Sequence, residues 1–178
     1  MSRFLILIPL LALAGCGFEA ASAQQGAAAF PESWAGHWKG QLEVAPYEGE
    51  VKRLPMELTV AKKEQAGHWR FAIQYGGQPL RDYELITEDR KKGRYRIDER
   101  NSIVLPAWYT GGELVSIFSL SGQLLTARYQ RIGDEIHFSI LVTKTSPTSK
   151  TGGEGRVPVV GAHLPATYQR ARLKRTSD

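Results

Sequence analysis

The stretch HWRFAIQY, residues 68–75, alternates strictly between two kinds of side chain. One set is large and apolar, comprising Trp69, Phe71, Ile73 and Tyr75. The other set is small or polar, comprising His68, Arg70, Ala72 and Gln74. Successive side chains of a β-strand point to opposite faces, so the pattern predicts a strand with one apolar face and one face in water.

Comparable runs recur roughly every 10 to 15 residues through the rest of the chain, separated by Gly, Pro, Asn or Asp. They predict about ten strands, at 37–45, 56–62, 68–75, 80–88, 94–98, 102–109, 114–121, 124–131, 136–144 and 168–174. No segment has the period of an amphipathic helix. Tight turns between consecutive strands favour an antiparallel meander, and closing that meander removes its exposed edges. The predicted fold class is therefore all-β, an antiparallel up-and-down β-barrel of about 8–10 strands.

Two segments depart from the strand pattern. Residues 30–34, with the sequence FPESW, predict a short helical turn that plugs one end of the barrel. Residues 145–161 contain two prolines and four glycines, and are long for a connection inside a compact domain. This segment is either a lid or binding loop, or a disordered excursion.

The first predicted strand opens with Gly36, His37 and Trp38. This G-x-W resembles the opening motif of the calycin barrels, which include the lipocalins, the fatty-acid-binding proteins and the nitrobindin-like haem barrels. The resemblance implies that Trp38 packs across the closed end of the barrel, under a basic side chain from the last strand. Arg170 and Arg172 are the candidates, and Arg172 is chosen with Gly36 and Trp38 as the structural set.

Two features of the sequence depart from these families. The lipocalin T-D-Y motif has a partial counterpart only at residues 81–83, RDY, in an earlier strand than expected. Gln41 stands where the nitrobindin-like opening has a third glycine. The resemblance therefore predicts an architecture and leaves the ligand open.

The N-terminal residues carry a second resemblance. Arg3 precedes an apolar run at 4–13, which is too short to span a bilayer core of about 30 Å. The sequence LAGC at residues 13–16 resembles the lipobox of bacterial lipoproteins. It implies that 1–15 is a lipoprotein signal peptide and that Cys16 is lipidated. Gly17 after the cysteine implies the outer membrane, facing the periplasm; the alternative is an ordinary secretory signal with a chance cysteine.

The predicted organisation has three parts. The signal peptide at 1–15 is followed by the lipidated cysteine and a flexible tether at 16–30, rich in Ala, Gln, Ser and Gly. The β-barrel domain occupies 31–178. Cys16 is the only cysteine of the chain, so the domain has no disulfide and no cysteine nucleophile.

The charge balance is mild, with 23 Lys and Arg against 18 Asp and Glu. A mixed-charge solvated surface accounts for this balance. An exported lipoprotein is not expected to bind nucleic acid, whereas anionic lipid and acidic glycans are the more suitable partners for a basic excess.

The residue types of common catalytic and metal sites are present without their spacing. His37, His68 and His137 fall within predicted strands and are expected to be wall residues, and no histidine pair or cluster predicts a metal site. His163 precedes the last strand, where nitrobindin-like barrels carry their haem ligand, so that resemblance implies it as an axial ligand. No G-x-S-x-G elbow occurs. We therefore expect no enzyme activity and no cofactor, and a haem-binding barrel with His163 as ligand is kept as an alternative.

The interior of the predicted barrel remains as the candidate site. Eight aromatic residues are expected to line it: Trp69, Phe71, Tyr75, Tyr83, Tyr95, Phe118, Tyr129 and Phe138. An apolar chamber predicts a membrane-anchored envelope lipoprotein that binds an apolar or amphipathic small molecule without catalysis. The alternative is a structural or interaction lipoprotein whose barrel is filled by side chains and which binds an envelope protein partner, as an inhibitor or assembly factor.

Overall fold

The computed structural model describes residues 29–176. The predicted signal peptide, Cys16 and most of the predicted tether lie outside these residues. After a single 3₁₀ turn at Glu32–Trp34, the chain forms twelve strands. They are β1 Gly36–Pro46, β2 Lys52–Lys62, β3 His68–Tyr75, β4 Arg81–Asp89, β5 Arg94–Asp98, β6 Val104–Thr110, β7 Glu113–Leu120, β8 Gln123–Ile132, β9 Glu135–Lys144, β10 Ser149–Thr151, β11 Val160–Ala162 and β12 Pro165–Arg175.

Ten of these strands close into a single antiparallel barrel, in the order β1-β12-β9-β8-β7-β6-β5-β4-β3-β2. From β1 to β9 each strand pairs with the next along the chain, and β12 pairs with β9. The seam is made by β1 and β12, whose register runs from Trp38 opposite Arg175 to Pro46 opposite Thr167. The predicted antiparallel β-barrel is confirmed. Inside the long connection at 145–164, β10 and β11 pair as a separate two-stranded sheet. These strands are only three residues long, too short to produce a readable alternation.

The 3₁₀ turn plugs one end of the barrel, as the sequence predicts. Phe30, the last residue of the predicted tether, is 4% exposed and Trp34 is 1% exposed. The Phe30 ring stacks on Tyr109 with centroids 4.1 Å apart and meets Tyr95 edge-on at 5.0 Å. Such aromatic pairs add to the burial of their large apolar area. We call this the closed end of the barrel.

Three arginines from separate parts of the chain fix the plug by its backbone. Arg90, in the β4–β5 turn, donates to the Phe30 carbonyl at 2.8 Å. Arg131 of β8 donates to the Ser33 carbonyl at 2.8 Å, and Arg175 of β12 donates to the same carbonyl at 3.1 Å. A 3₁₀ turn this short leaves its own carbonyls unpaired, and the guanidinium donors satisfy them.

Trp38 is fully buried at the closed end, where its indole N–H donates to the Trp34 carbonyl at 2.9 Å. The basic side chain over its ring belongs to Arg175, whose Cζ lies 4.2 Å from the ring centroid. This corrects the choice of Arg172. Side chains of β12 alternate between the two faces of the wall, and both Arg170 and Arg172 are exposed outside it. Only a residue at an odd-numbered position reaches Trp38.

The closed half of the barrel is filled by its own side chains. Seven inward-facing side chains of this half are buried, namely Trp38, Val60, Trp69, Tyr95, Leu114, Ile136 and Leu173, and Tyr109 beside the plug is partly buried. No helical segment within 29–176 combines the length and hydropathy that a membrane span requires.

Candidate ligand site in the open half of the barrel

The open half of the barrel, opposite the plug, has inward-facing apolar side chains that are only half-buried. They pack on the core but retain exposed surface: Val44, Leu54, Tyr83, Leu105, Phe118 and Ile140. These side chains form the outermost interior layer at the open end, where part of their apolar surface faces solvent. We call this half-exposed apolar layer the cup. The cup is bounded at its rim by the connections 47–51, 76–80, 99–103, 121–122 and 145–164.

Two tyrosine hydroxyl groups face this cup. Tyr75 and Tyr129 are 8% and 5% exposed. Neither hydroxyl forms a hydrogen bond with another described residue. Neither is a fully buried polar atom that lacks a partner. Each hydroxyl therefore contacts space that water reaches, since buried polar groups need a partner. Both are free to bond a ligand.

Burial keeps these hydroxyl groups protonated. Desolvation raises the pKa of Tyr75 to about 12, with the Arg81 guanidinium opposing the rise. Desolvation also raises the pKa of Tyr129 well above its usual range. The pKa of Tyr83 is raised by burial and by the nearby Glu99 carboxylate, against the effect of Arg81. At neutral pH these three phenols are hydrogen-bond donors.

Arg81 provides a cation at the rim of the cup. It opens β4 opposite Ile73, and its Cζ lies 4.9 Å from the centroid of the Tyr75 ring. The next residue, Asp82, faces the other way and pairs with Arg70 and Arg100. Within the part of the chain that the structure describes, no carboxylate lies within ion-pair distance of Arg81. Its charge is therefore available to a ligand.

The structure divides the eight predicted lining residues into three groups. Tyr75, Tyr83 and Phe118 belong to the cup, together with Tyr129. Phe71 and Phe138 lie beneath as its floor, with ring centroids 5.2 Å and 4.9 Å from that of Tyr129.

Trp69 and Tyr95 lie in the closed half instead. Both are within the packed core, because strands β3 and β5 begin at the plugged end. The sequence prediction did not include Arg81. Its position two residues before Tyr83 is the signal that places it on the same face of β4.

His163 lies on the exposed connection before β12 and not inside the barrel. Its Nδ1–H donates to the Lys144 carbonyl at 3.0 Å. The role of axial haem ligand that the nitrobindin-like resemblance implies for His163 stays a prediction. Residues 29–176 contain no group of three His, Cys, Asp or Glu side chains arranged to hold a metal ion.

Two further concavities lie on the outside. One, of about 570 Å³, runs across the outer face of β1, β12, β9, β8 and β7. A smaller one, of about 360 Å³, lies between the β1–β2 turn and the start of β12, next to Leu164 and Ala166. Of the eight aromatic residues that the sequence predicts as a ligand wall, Phe138 alone is among the residues around the larger concavity, and none is among those around the smaller one.

The raised pKa of Tyr75 predicts how stability depends on pH. An unfolded tyrosine ionises near pH 10, whereas folded Tyr75 stays neutral to about 12. The stabilisation is complete below the unfolded pKa and is lost as pH rises from there to the folded pKa. Tyr75→Phe has no phenol to ionise at this position. Between pH 9 and 11 the free energy of unfolding, measured with urea, should therefore fall by about 1 kcal/mol more in the wild type than in the variant.

The control for this measurement is Tyr47→Phe, because Tyr47 is 61% exposed. It should follow the wild-type dependence on pH. Parallel curves for Tyr75→Phe and the wild type would show that Tyr75 is not desolvated in the folded protein.

No family model matches the sequence, and no curated protein matches it either. Solved structures do resemble the fold. A protein of unknown function from the DUF3598 family of Nostoc punctiforme matches with a TM-score of 0.58 and 11% identity over 80% of this chain. This chain spans about half of that protein, 47% of its length.

The S-type phycobiliprotein lyase CPES from Guillardia theta matches with a TM-score of 0.51 and 6% identity, covering 81% of this chain and 89% of the lyase. A mutant of the fluorescent protein UnaG matches with a TM-score of 0.45 and 14% identity, covering 83% of this chain and 99% of its own. At such identities the likeness shows the fold alone. The chain has a calycin-like β-barrel.

Proposed function

We propose that this protein is a lipid-anchored protein of the cell envelope that binds an amphipathic small molecule, without catalysis, in the open half of its barrel. The observation that carries the proposal is the half-exposed apolar lining of the cup beneath Arg81, an arginine that has no carboxylate partner among residues 29–176. An apolar tail would cover that lining, and burying it would contribute about 25 cal/mol per Å². An anionic head group would meet Arg81.

The polar groups of the cup favour a carboxylate as this head group. Arg81 offers a guanidinium fork, which matches the two oxygens of a carboxylate. Tyr75 and Tyr129 offer neutral hydroxyl donors beside it. A cationic head group would find repulsion from Arg81. The proposed ligand is therefore an anionic amphiphile.

The anchor is part of the proposal and rests on the LAGC sequence at 13–16. The described chain begins at the closed end of the barrel, next to Phe30. A chain held at Cys16 would turn this plugged end towards the membrane and the cup away from it. Coil scaling gives the intervening residues a reach of about 20 Å. The proposed location of the protein is the periplasmic side of the outer membrane. Mass spectrometry of the intact protein tests whether Cys16 is acylated.

Dodecanoate, below its micelle-forming concentration, is the probe for the ligand site. It should raise the midpoint of thermal unfolding, because a ligand that binds only the folded state stabilises it by mass action. Dodecanol, which lacks the charge, should stabilise less. In Arg81→Gln the Kd for dodecanoate should rise about tenfold, the effect of losing one charge-assisted hydrogen bond, while dodecanol binding is retained.

Arg94→Gln is the matched control, since Arg94 is an exposed arginine on the outer face of β5. It should bind dodecanoate as the wild type does. Equal effects of dodecanoate on all three proteins would contradict a role for Arg81. Absence of stabilisation in the wild type would contradict the proposal that the cup binds anionic amphiphiles.

A filled-barrel lipoprotein that binds a protein partner is the second candidate. The exposed valines of the β10–β11 segment favour it, because Val157, Val159 and Val160 are 58%, 65% and 53% exposed. Apolar side chains grouped on an exposed loop are typical of protein contacts. Cross-linking in the envelope through this segment, together with no response to dodecanoate, would support this candidate instead.

A further inference from the structure

The outer wall of the barrel carries a straight row of polar side chains that the proposed ligand site does not use. The strand registers place Gln41 opposite Arg172, Arg172 opposite His137, His137 opposite Gln130, and Gln130 opposite Glu113. Neighbouring strands are about 4.8 Å apart, so the row extends about 19 Å across five strands. It lines the groove of about 570 Å³ on this face. We call it the outer groove.

The carboxylates at the two ends of the outer groove are already neutralised. Glu43 accepts hydrogen bonds from Arg53 at 2.9 Å and from Arg170 at 2.8 Å. Glu113 accepts a hydrogen bond from Arg128 at 3.0 Å. These pairs occupy the flanking arginines. They also limit repulsion of an anion from the ends of the groove.

Arg172, in the middle of the row, is different. It is exposed, and across residues 29–176 no carboxylate lies within ion-pair distance of it. Its cross-strand neighbours are Gln41 and His137, and the His137 Nε2 lies 3.0 Å from a Glu135 carboxylate oxygen. Among the described residues, the groove therefore has at its centre one guanidinium without a carboxylate partner, between a neutral amide and an imidazole that is engaged with Glu135.

The remaining lining suits hydroxyl groups and a ring. Gln41, Gln130 and Ser139 present both donors and acceptors along the groove. Tyr168, 45% exposed, forms its edge and offers an aromatic face with a polar tip. The lining is more polar than apolar, and a polyhydroxylated ligand would find a hydrogen-bond partner at nearly every strand.

We infer that the outer groove binds an acidic oligosaccharide, with a uronic acid carboxylate on Arg172 and the neighbouring sugar hydroxyls on Gln41, Gln130 and Ser139. The carboxylate forms two parallel hydrogen bonds with the guanidinium. A sugar ring lies on the face of Tyr168. The groove runs across the strands and admits several sugar units in line. This site is separate from the cup and does not depend on what the cup binds.

The test uses a tetrasaccharide of alternating glucuronic acid and N-acetylglucosamine, with the neutral tetrasaccharide of N-acetylglucosamine for comparison. Isothermal titration calorimetry at physiological salt measures both. The acidic sugar should bind, and the neutral one at least several-fold more weakly. Arg172→Gln should raise the Kd for the acidic sugar about tenfold, the effect of removing a charge-assisted pair. Dodecanoate should raise the midpoint of thermal unfolding of Arg172→Gln as much as it raises that of the wild type.

Arg94→Gln is again the matched control, because it removes one exposed positive charge from a different part of the wall. It should leave the Kd for the acidic sugar unchanged. An equal loss in Arg94→Gln and Arg172→Gln would mean attraction by net charge alone and would overturn the inference. Absence of binding by the acidic tetrasaccharide to the wild type would also overturn it, whatever the cup binds.

Discussion

Replacing Trp38 with alanine should lower the free energy of unfolding by about 3–5 kcal/mol. Trp38 is fully buried, and its removal leaves a large cavity at the closed end. The Trp34 carbonyl loses its 2.9 Å hydrogen bond from the indole, and the Arg175 guanidinium loses the ring 4.2 Å beneath it. The loss of these two contacts adds to the destabilisation that the cavity causes. Urea unfolding followed by far-UV circular dichroism measures the effect.

Trp108→Ala is the matched control, because Trp108 lies in β6 with 57% of its surface exposed. Removing it should change the free energy of unfolding by about 0.5 kcal/mol or less, as for most surface positions. A loss in Trp38→Ala no greater than in Trp108→Ala would show that the closed end is not a packed core.

Gly93→Ala should be nearly as damaging, with an expected loss of about 2–4 kcal/mol. Gly93 has a φ of 65°, in the left-handed region that L side chains avoid. A Cβ at this position would also collide with the backbone carbonyl oxygen of Tyr109. The Tyr109 ring stacks on Phe30, so moving this strand disturbs the plug. Chemical denaturation measures the loss.

Gly111→Ala separates the two causes. Gly111 has a φ of 57°, yet a Cβ there would have nothing within 4 Å. This variant incurs only the backbone cost, about 1 kcal/mol. Equal losses at the two glycines would mean that the approach of Tyr109 to Gly93 contributes nothing to stability.

Much of this fold was predictable because the strands of a barrel in water alternate apolar side chains that face inwards with polar side chains that face outwards. The run at 68–75 is one strand, β3, with Trp69, Phe71, Ile73 and Tyr75 facing inwards. The G-x-W at 36–38 predicted the closed end correctly, since Trp38 is buried there under a basic side chain.

The choice between Arg172 and Arg175 shows where sequence reasoning stopped. The two residues lie three positions apart on one strand, so they face opposite sides of the wall. The alternation of β12, in which Ala171 and Leu173 are the apolar residues, already places Arg172 on the outer face and Arg175 on the inner face. The position of Arg175 opposite Trp38 depends on the register between the first and last strands, which neither strand's own sequence contains.

The candidate site was predictable only in its aromatic residues. Tyr75, Tyr83, Phe118 and Tyr129 follow from alternation, but alternation does not tell the filled half of a barrel from the open half. That distinction arises from the plug at residues 30–34, which occupies one end. The outer groove was not predictable at all, because its row joins residues from five strands through their registers.

The seam between β1 and β12 has a consequence for how the protein folds. The first barrel strand along the chain keeps one edge unpaired until the last strand is in place. Until then β1 and β9 each offer an open ladder that other chains can join, and the folding protein is most prone to aggregation in this interval. Pairings between such distant segments also form slowly. A chain that ends before residue 165 would keep both ladders open permanently, so the final eleven-residue strand completes the fold for the whole molecule.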